Sequence, residues 1–581
     1  MSEDHQVPPG DGYDAYFRPS SRPRRAIDDP DSHPSTVEDD GADEPTVIRP
    51  LPAAQDAAPA AAPAAGRRVH PFTRALGWTT LGAFLPGLGL WPTRMRRWGI
   101  VLFGLLLAFL VAAGLYVMGD PFEAAKIAAR TNDLLALCVG LVVVAVLWVT
   151  LIVGTHLLTR PRTLTSAQRA VGALVVSALA FVVATPLAVA ARYSWDQANL
   201  VQDVFGKNDT KKSGTRPTIN TDTSSDEVWK NHPRLNILLV GLDNSSEREY
   251  ADTDVSTDTM MVASIDTQTG DMVLVQVPRN MAKTPFAPGS KLASLYPDGY
   301  TDGHGDNAAY FANAIWAHVP AEHPDLFVGT DYPGADALKL GLEGAVGLKI
   351  DYFVALNIDG LVGLIDAMGG VTLNVNERLP IGGDSSGRRP VGYLEPGPSQ
   401  KLSGYNAMWY ARSRLQSTDF DRMSRQSCVI KAVVNQADPQ TLLTRYEAIA
   451  RAGGNAVTTD IPSDMLPHLV DLSARVKDGE MRRVLFVHGQ NGYVTYGPDF
   501  AMMQRRVADA IEELGGTAPT MPLVTPTPEA TPTGQSTPLD PSTLTSPSPT
   551  STDPDQTPGS TGTPTPKPIE NLNDACAYNP K

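Results

Sequence analysis

Apolar residues in this sequence form long runs near the start and only short runs later. Three long runs, near residues 98–118, 134–158 and 170–193, reach the length of roughly 20 residues at which a helix crosses a bilayer. A fourth run, residues 75–91, is shorter and contains the sequence FLPGLGLW, whose proline and glycines interrupt a helix. Residues 71–193 are therefore predicted to be a helical membrane region.

The arginines beside these runs predict which loops face the cytoplasm. The loops at residues 92–97 and 159–169 carry three arginines each, whereas acidic neighbours balance Lys126 and Arg130 in the loop between them. Lys and Arg concentrate in short cytoplasmic loops, so we expect both arginine-rich loops inside and the chain after residue 193 outside. With the N-terminus inside, the number of crossings is odd. The fourth run is then re-entrant or interfacial, and a fourth full span is the alternative.

Composition separates the remaining chain into one foldable block and three flanking segments. Residues 1–70 are rich in Asp, Pro and Ala and are predicted to be a disordered cytoplasmic tail. Residues 194–234 are interpreted as a juxtamembrane linker. Residues 517–581, rich in Thr, Pro and Ser, are predicted to be a disordered C-terminal tail. The block between them, residues 235–516, is expected to be an extracytoplasmic globular domain.

Strand-like and helix-like patterns alternate within the globular block. Continuous or paired apolar runs predict strands, and apolar positions at helical spacing before glycines predict helices. The predicted strands are 236–242, two within 259–278, 351–358, 371–375 and 482–489, and the predicted helices are 359–370 and 499–516. This alternation predicts an α/β fold: an αβα layered domain with a mixed central sheet, preceded by the transmembrane helices.

Charge and cysteine content narrow the classes of function. The 581-residue chain has a net charge of -15, which argues against nucleic acid as a partner. Its ten histidines form no cluster with zinc-ligand spacing. Of its three cysteines, Cys138 lies in an apolar run and is expected to be inert. Cys428 and Cys576 could pair in an oxidising compartment, a question that the spacing leaves open.

Two aspartates lie near the ends of predicted strands. Asp243 directly follows the buried strand 236–242, at the carboxyl end where α/β sheets place their sites. Asp258 directly precedes the next predicted strand. Carboxylate oxygens suit Mg²⁺, which proteins commonly hold through one or two carboxylates and phosphate oxygens. The alternative is that each aspartate only caps a turn.

Four arginines occur within the seventeen residues YARSRLQSTDFDRMSRQ, from Tyr410 to Gln426. Arg412 and Arg414 are two apart, which on a strand would place them on one face. Arg422, Arg425 and Gln426 have the spacing of one helix face. Guanidinium groups bind phosphate through two parallel hydrogen bonds and stay charged, so a phosphate site is predicted. The alternative is an exposed surface on which the arginines pair with neighbouring aspartates.

The order of these motifs resembles the LytR-CpsA-Psr family. The resemblance rests on NILLVGLD, TDTMMVASIDTQTGDMVLVQVPRN, GLKIDYFVALNIDGLVGLIDAMGGV and the arginine-rich stretch, and it covers about half of the chain, residues 236–514. It implies an enzyme that transfers a glycopolymer from a polyprenyl-pyrophosphate carrier to peptidoglycan at the plasma membrane. Its implied partners are that lipid-linked polymer, peptidoglycan and membrane lipid.

The resemblance also implies roles for individual residues. Asp243 and Asp258 would bind Mg²⁺. Asp243 with Arg279, Arg412 and Arg414 would form the catalytic set, and Lys291, Arg422, Arg425 and Gln426 would bind pyrophosphate and lipid. These roles come from positions that match the family's motifs.

Two positions depart from the family's pattern. Ser256 stands where the family usually has Arg, and Asn280 stands where it usually has Asp after the proline-arginine pair. Arg248 is a candidate substitute for the missing arginine. The departures motivate an alternative function, a weakly active or non-catalytic envelope protein that binds polyprenyl phosphate or glycopolymer.

Overall fold

The computed structural model describes residues 70–117, 126, 129–206, 211–243, 257–304, 307–383, 388–414, 417–436, 457–517 and 567–580. The chain divides into a first unit, Met1–Arg74, and a second unit, Ala75–Lys581, which contains the features below apart from the first residues of α1. The predicted disordered tail, apart from His70, lies outside the described residues. So do Arg248, Ser256 and the Thr/Pro-rich residues 518–566.

Four helices carry the long apolar runs: α1 (Pro71–Phe84), α2 (Arg96–Val117), α3 (Thr131–Thr159) and α4 (Ser166–Phe205). Among the described residues, α3 and α4 are long and apolar enough to cross a membrane, by length and composition. Large apolar side chains on these helices are exposed, and Leu147 and Phe181 are 63% and 71% accessible. Apolar exposure on this scale is expected of surfaces that face lipid.

The fourth apolar run is not one continuous helix. Helix α1 ends at Phe84, and a short 3₁₀ turn, Leu88–Leu90, follows Gly87. Gly87 has a φ of 94°, and a Cβ there would lie 2.2 Å from the carbonyl oxygen of Gly99. Only glycine fits this close approach. The interruption agrees with a segment that does not cross as a simple span, although the number of crossings stays a prediction.

The predicted linker 194–234 is wrong at its start, because α4 continues to Phe205. Three of its later residues, Ala198, Val201 and Val204, are buried, and Gly206 accepts a hydrogen bond from the Ser463 amide at 2.8 Å. Sequence reasoning ended the helix where the lipid-length apolar run ended. Packing against the globular domain extends it beyond that point.

Residues 211–216 of the predicted linker are fastened to the domain around a buried ion pair. Lys339 Nζ lies 3.0 Å from a carboxylate oxygen of Asp460, and both side chains are fully buried. Ser213 donates to Asp460 at 3.1 Å and to Asp336 at 2.7 Å, and Arg216 donates to the Asp460 carbonyl at 2.9 Å. These contacts satisfy charges that would be costly to bury alone, so residues 211–216 form an ordered strap.

The described residues then form eleven short strands: β1 (Arg234–Leu242), β2 (Thr257–Asp266), β3 (Met272–Val277), β4 (Tyr352–Asn357), β5 (Val371–Val375), β6 (Leu379–Gly382), β7 (Pro390–Leu394), β8 (Gly397–Leu402), β9 (Val457–Thr459), β10 (Met481–Leu485) and β11 (Ile569–Asn571). Seven of them form a mixed sheet in the order β11-β10-β3-β2-β1-β4-β9. The pairs β1/β4 and β3/β10 are parallel and the other neighbours are antiparallel. Two smaller two-stranded sheets pair β5 with β8 and β6 with β7.

Ten further α-helices lie among the described residues, and they are α5 (Ser225–Asn231), α6 (Lys291–Leu295), α7 (Ile315–Glu322), α8 (Pro333–Val346), α9 (Ile358–Ala367), α10 (Gly404–Arg412), α11 (Asp419–Gln436), α12 (Leu466–Asp478), α13 (Phe500–Glu512) and α14 (Leu572–Ala575). Helices cover both faces of the main sheet, whereas α9 and α10 share a third core with the two smaller sheets. Helices α7, α8 and α13 contribute to one core, and α5 and α12 contribute to the core on the opposite face. The predicted αβα layering is therefore confirmed.

Strand β1 has a continuous apolar sequence because both of its faces are buried. Leu238 and Val240 belong to the core that contains α8, whereas Leu235 and the partly buried Leu239 belong to the core that contains α12. Alternate side chains of a strand point to opposite faces, so a sheet covered on both sides needs apolar residues at every position.

The prediction of a strand for MWYARSR is wrong, because Gly404–Arg412 is helix α10. Ser403 caps this helix by accepting a hydrogen bond from the Asn406 amide, and Ala407 and Tyr410 are buried at a spacing of three. The adjacent aromatic residues suggested a strand. The N-terminal cap and one-sided burial determine a helix instead.

The predicted disordered C-terminal tail is wrong for its last part. Residues Ile569–Asn571 form β11 at the edge of the main sheet, Leu572 is fully buried, and Cys576 forms a disulfide with Cys428 of α11. The long Thr/Pro-rich composition concealed this short segment. The pairing of Cys428 and Cys576, which the sequence left open, closes a loop of 148 residues.

We expect Cys576→Ser to lower stability, because the cross-link limits the freedom of a long loop in the unfolded chain. The loss should be about 2–5 kcal/mol of unfolding free energy, read as a lower unfolding midpoint of the full-length protein in detergent. Dithiothreitol should lower the wild-type midpoint equally and leave the variant unchanged. Cys138→Ser is the matched control, since Cys138 is unpaired. An unchanged midpoint in Cys576→Ser would show that the bridge contributes nothing.

Candidate active site

The predicted site residues converge at one edge of the main sheet. Strands β1, β3, β4 and β10 all end at this edge, and β2 begins there, because Leu242 pairs with Thr257 and Val277 pairs with Met260. Asp243 follows β1 and Arg279 follows β3 at the same edge. This is the edge at which α/β sheets usually place their sites.

A β-bulge presents Asp258. Gly241 pairs with Thr259 and Leu242 pairs with Thr257, so Asp258 is the extra residue between two paired positions. An extra residue interrupts the ladder locally and re-aims its side chain. The bulge therefore directs the second carboxylate to the same edge as Asp243.

Each aspartate pairs with one arginine. Asp243 Oδ1 accepts from Arg412 Nη2 at 3.0 Å, and Asp258 Oδ1 accepts from Arg279 Nη1. All four side chains remain partly exposed, between 28% and 40%. The two ion pairs thus join the sheet edge to the end of α10 and stay open to a ligand.

Arg414 and Arg422 add positive charge beside these pairs. Arg414 is exposed over part of its surface. The pKa of Arg414 is lowered, mainly because the rest of the side chain is buried and to a smaller extent because Arg279 repels its charge. Burial, followed by repulsion from Arg414, lowers the pKa of Arg422 to about 10, so Arg422 stays protonated near neutral pH. Electrostatic repulsion from neighbouring arginines therefore contributes to the lowered pKa values of Arg414 and Arg422.

Arg422 carries a donor that the protein does not use. Its side chain is 7% exposed and pairs with Asp419 at 2.9 Å through Nη2, yet its buried Nε has no hydrogen-bond partner. A buried unsatisfied donor costs roughly 1–3 kcal/mol. This donor is available to an anion that binds beside the cluster.

Among the described residues, Arg425 pairs with Glu377 and not with a carboxylate of the cluster, and its role in binding phosphate stays a prediction. Its guanidinium donates to the carbonyls of Tyr410 and Ser413 and pairs with Glu377 at 2.9 Å. It lines a different cavity, of about 810 Å³, between α11 and the C-terminal segment. Because it holds the loop between α10 and α11, Arg425 positions Arg412 and Arg414.

Gln426 is also a positioning residue. Its side chain donates to Thr259 at 3.1 Å and accepts from Gln276 at 2.6 Å. These bonds fasten α11 to β2 and β3 beside the bulge that carries Asp258. Helical spacing correctly predicted that residues 422–426 lie on one helix, but buried side-chain partners decide which of them face the site.

The structure shows no contact between Lys291 and the cluster. Lys291 is the first residue of α6 and is exposed, and no ion pair joins it to the described residues. Asn280 lies next to Arg279 and lines a second cavity, of about 320 Å³. Ser256 and Arg248, which bear on the missing family arginine, lie outside the described residues.

Sequence reasoning missed two groups that shape this site. Glu377 pairs with Arg425 from the chain before the small β6/β7 sheet, and no motif points to it. His488 follows β10 and lines the cavity beside Asn280. The signal that identified Asp243, a polar residue just after a buried strand, could also have identified His488.

The arrangement is suited to binding a polyanion. Four arginines and three carboxylates (Asp243, Asp258 and Asp419) surround one region, and among the described residues no carboxylate pairs with Arg414. Charge-assisted hydrogen bonds from planar guanidinium groups match the oxygens of phosphate. The fold and the cluster together define an α/β protein with a group of arginines and carboxylates at the carboxyl edge of its sheet.

The chain belongs to the LytR_cpsA_psr family, whose model matches residues 200–513, more than half of the sequence. A polyisoprenyl-teichoic acid–peptidoglycan teichoic acid transferase, TagU, from Oceanobacillus iheyensis is 28% identical over 268 residues, which are 45% of this chain and 70% of the relative. Biofilm regulatory protein A from Streptococcus mutans is 25% identical over 269 residues, 46% of this chain and 59% of that protein.

Two solved structures resemble the globular domain. Protein gbs0355 from Streptococcus agalactiae is 21% identical with a TM-score of 0.37, and the match covers 51% of this chain and 93% of that one. TagV from B. subtilis is 18% identical with a TM-score of 0.33, and the match covers 49% and 98% of the two chains.

We expect Arg422→Met to separate anion binding from stability. Loss of the guanidinium should weaken binding of inorganic pyrophosphate about tenfold or more, because a charged hydrogen bond contributes about 1.5–3 kcal/mol. Stability should not fall, since a buried unpaired donor disappears. Isothermal titration calorimetry and thermal unfolding measure the two effects.

Arg378→Met is the matched control for that experiment. Arg378 is 57% exposed and pairs with Glu395 at the surface, so its loss should change neither quantity. If Arg422→Met unfolds the protein, or leaves pyrophosphate affinity intact, the assignment of Arg422 to the anion site is wrong.

Proposed function

We propose that this protein transfers a glycopolymer from a polyprenyl-pyrophosphate carrier to peptidoglycan during cell-wall assembly. The observation that carries the proposal is the arginine cluster at the sheet edge, in which the buried Nε of Arg422 lacks a partner. Membership of the LytR_cpsA_psr family and the activity named for the TagU relative support it. A pyrophosphate-linked donor supplies the polyanion that the cluster requires.

The proposed reaction is a displacement at phosphorus. A hydroxyl oxygen of peptidoglycan attacks the phosphorus next to the polymer sugar, a new P–O bond forms, and the bond to the lipid phosphate breaks. The lipid monophosphate leaves, and the hydroxyl proton passes to a base, for which the Asp243 carboxylate is the candidate. Arg279, Arg412, Arg414 and Arg422 would stabilise the negative charge on the phosphoryl oxygens.

Mg²⁺ is proposed as the cofactor, held by Asp243 and Asp258. The donor set fits, because the bulge brings two carboxylates to one edge and Mg²⁺ commonly binds one or two carboxylates plus substrate phosphates. Among the described residues no group of three or more His, Cys, Asp or Glu surrounds a metal position. Bound there, Mg²⁺ would neutralise charge on the phosphate oxygens and leave the arginines to orient the donor.

The domain is proposed to lie outside the cell, on a multi-pass membrane anchor. Two helices, α3 and α4, have the length and composition to cross a membrane, and α4 leads directly into the domain. The disulfide between Cys428 and Cys576 supports this orientation independently of the arginine-rich loops, since disulfides persist in oxidising compartments.

Asp243→Ala and Arg412→Ala should each abolish Mg²⁺-dependent cleavage of a polyprenyl-pyrophosphoryl sugar, with losses of about 100-fold or more in kcat. Full-length protein in nanodiscs, assayed by mass spectrometry of released lipid monophosphate, provides the measurement. Arg378→Ala is the control and should retain wild-type rates. Unchanged cleavage in both variants would refute the proposal. Tight lipid binding by the wild type with no product under any metal would instead favour the non-catalytic function that Asn280 motivates.

Cysteine labelling tests the orientation in intact cells. In a Cys138→Ser background, an impermeant maleimide should label Lys230→Cys, which is exposed on α5, and should not label Ser2→Cys until the cells are opened. The native disulfide leaves no other free thiol to react. Labelling of Ser2→Cys in intact cells, or protection of Lys230→Cys, would overturn the predicted topology.

A further inference from the structure

Three aromatic rings form an exposed surface beside Arg279. The Tyr496 ring lies 6.1 Å from that of Phe311 and 6.1 Å from that of His488, measured between centroids. Tyr496 is 48% exposed. We call Phe311, His488 and Tyr496 the aromatic shelf. The reaction proposed above gives these residues no role.

Backbone hydrogen bonds hold the shelf against the arginine cluster. Asn313, two residues after Phe311, donates its amide to the Arg279 carbonyl at 3.1 Å. Ala282 donates to the Thr495 carbonyl at 3.0 Å, next to Tyr496. The shelf therefore has a fixed position relative to the guanidinium group that pairs with Asp258.

His488 is oriented as a hydrogen-bond donor. Its Nδ1 accepts from the Thr495 amide at 3.2 Å, so the proton of the neutral ring is on Nε2. The chain turns sharply at Gly489, which has a φ of 76°. The Gly489 amide donates a hydrogen bond to the Tyr493 carbonyl and closes this turn. The turn fixes both His488 and Tyr496 on the same side of the loop.

The shelf adjoins the cavity of about 320 Å³ that begins at Asn280. Asn280, His488, Gln490 and Asp419 supply hydrogen-bonding groups around it, and Phe420 and Phe486 supply apolar surface. Among the described residues, no lysine or arginine lines the cavity, and Asp419 is the one carboxylate there. This lining disfavours an anion and suits a neutral ligand with hydroxyl and amide groups.

We propose that the aromatic shelf and this cavity bind the acceptor, as a neutral N-acetylated sugar chain. This inference rests on the proposed function. The donor sugar is already held through its covalent link to pyrophosphate, whereas the acceptor hydroxyl has no such link and needs a surface that positions it for attack. Aromatic faces pack against the apolar faces of sugar rings, while amides and His488 Nε2 contact the hydroxyls.

The test compares Tyr496→Ala with Tyr578→Ala in full-length protein in nanodiscs. Tyr578 is 40% exposed in the C-terminal segment and serves as a matched surface tyrosine. The acceptor is a preparation of uncross-linked glycan strands. Tyr496→Ala should raise the acceptor KM about tenfold, because the binding free energy of one aromatic contact and its buried surface corresponds to about that change in affinity. The donor KM and the rate of donor hydrolysis by water should not change. Tyr496→Trp should restore the acceptor KM, and His488→Ala should raise it.

Binding of tetra-N-acetylchitotetraose, measured by saturation-transfer NMR, tests the shelf without any reaction. Wild type and Tyr578→Ala should bind it, and Tyr496→Ala should lose most of the signal. If the wild type cleaves no donor but Tyr496 still governs tetrasaccharide binding, the proposed function fails and the glycan site stands. Equal tetrasaccharide binding by wild type and Tyr496→Ala would overturn the site. Tyr496→Ala could instead bind the sugar-bearing donor more weakly than wild type while its affinity for polyprenyl pyrophosphate is unchanged. That result would show that the shelf binds the donor sugar, and it would overturn the assignment to the acceptor.

Discussion

The site depends on one constraint, that several arginines must remain close together although their charges repel. Two unit charges 4 Å apart near a protein surface interact by about 4 kcal/mol. The chain offsets this repulsion with Asp243, Asp258 and Asp419, and it fixes the geometry through Arg425. The Arg425 guanidinium donates to the carbonyls of Tyr410 and Ser413 and to Glu377. These hydrogen bonds hold the backbone beside Arg412 and Arg414 in place against the repulsion.

The mixed sheet makes this crowding possible. Strands β1 and β3 both run antiparallel to β2, which lies between them, so they end at one edge. The bulge at Asp258 adds a carboxylate from β2, which begins at that edge. Arg279 follows β3, and the other three arginines lie at the end of α10, just after it and in the first turn of α11. Catalytic groups carried on rigid elements need little rearrangement when a ligand binds.

The same domain is fastened at both ends of its chain. At the start, residues 211–216 bind the buried Lys339–Asp460 pair, and α4 continues from the apolar region to Phe205. At the end, β11 extends the sheet and Cys576 is bonded to α11, the helix that carries Arg422. The C-terminal segment is thus bonded to the helix that carries Arg422, whereas α4 and residues 211–216 attach to the domain elsewhere, at Ser463, Asp336 and Asp460.

The sequence by itself determined the layered fold and much of the site, because strand and helix periodicities and the position of Asp243 after a buried strand are local patterns. It did not determine which face of each element meets the site. Arg422 and Arg425 are two arginines on the same helix. Arg422 belongs to the arginine cluster and keeps an unpaired Nε, whereas Arg425 donates its hydrogen bonds to Glu377 and to backbone carbonyls. That difference, like the pairing of Cys428 with Cys576, depends on contacts between residues far apart in the chain, and such contacts exist only in the tertiary structure.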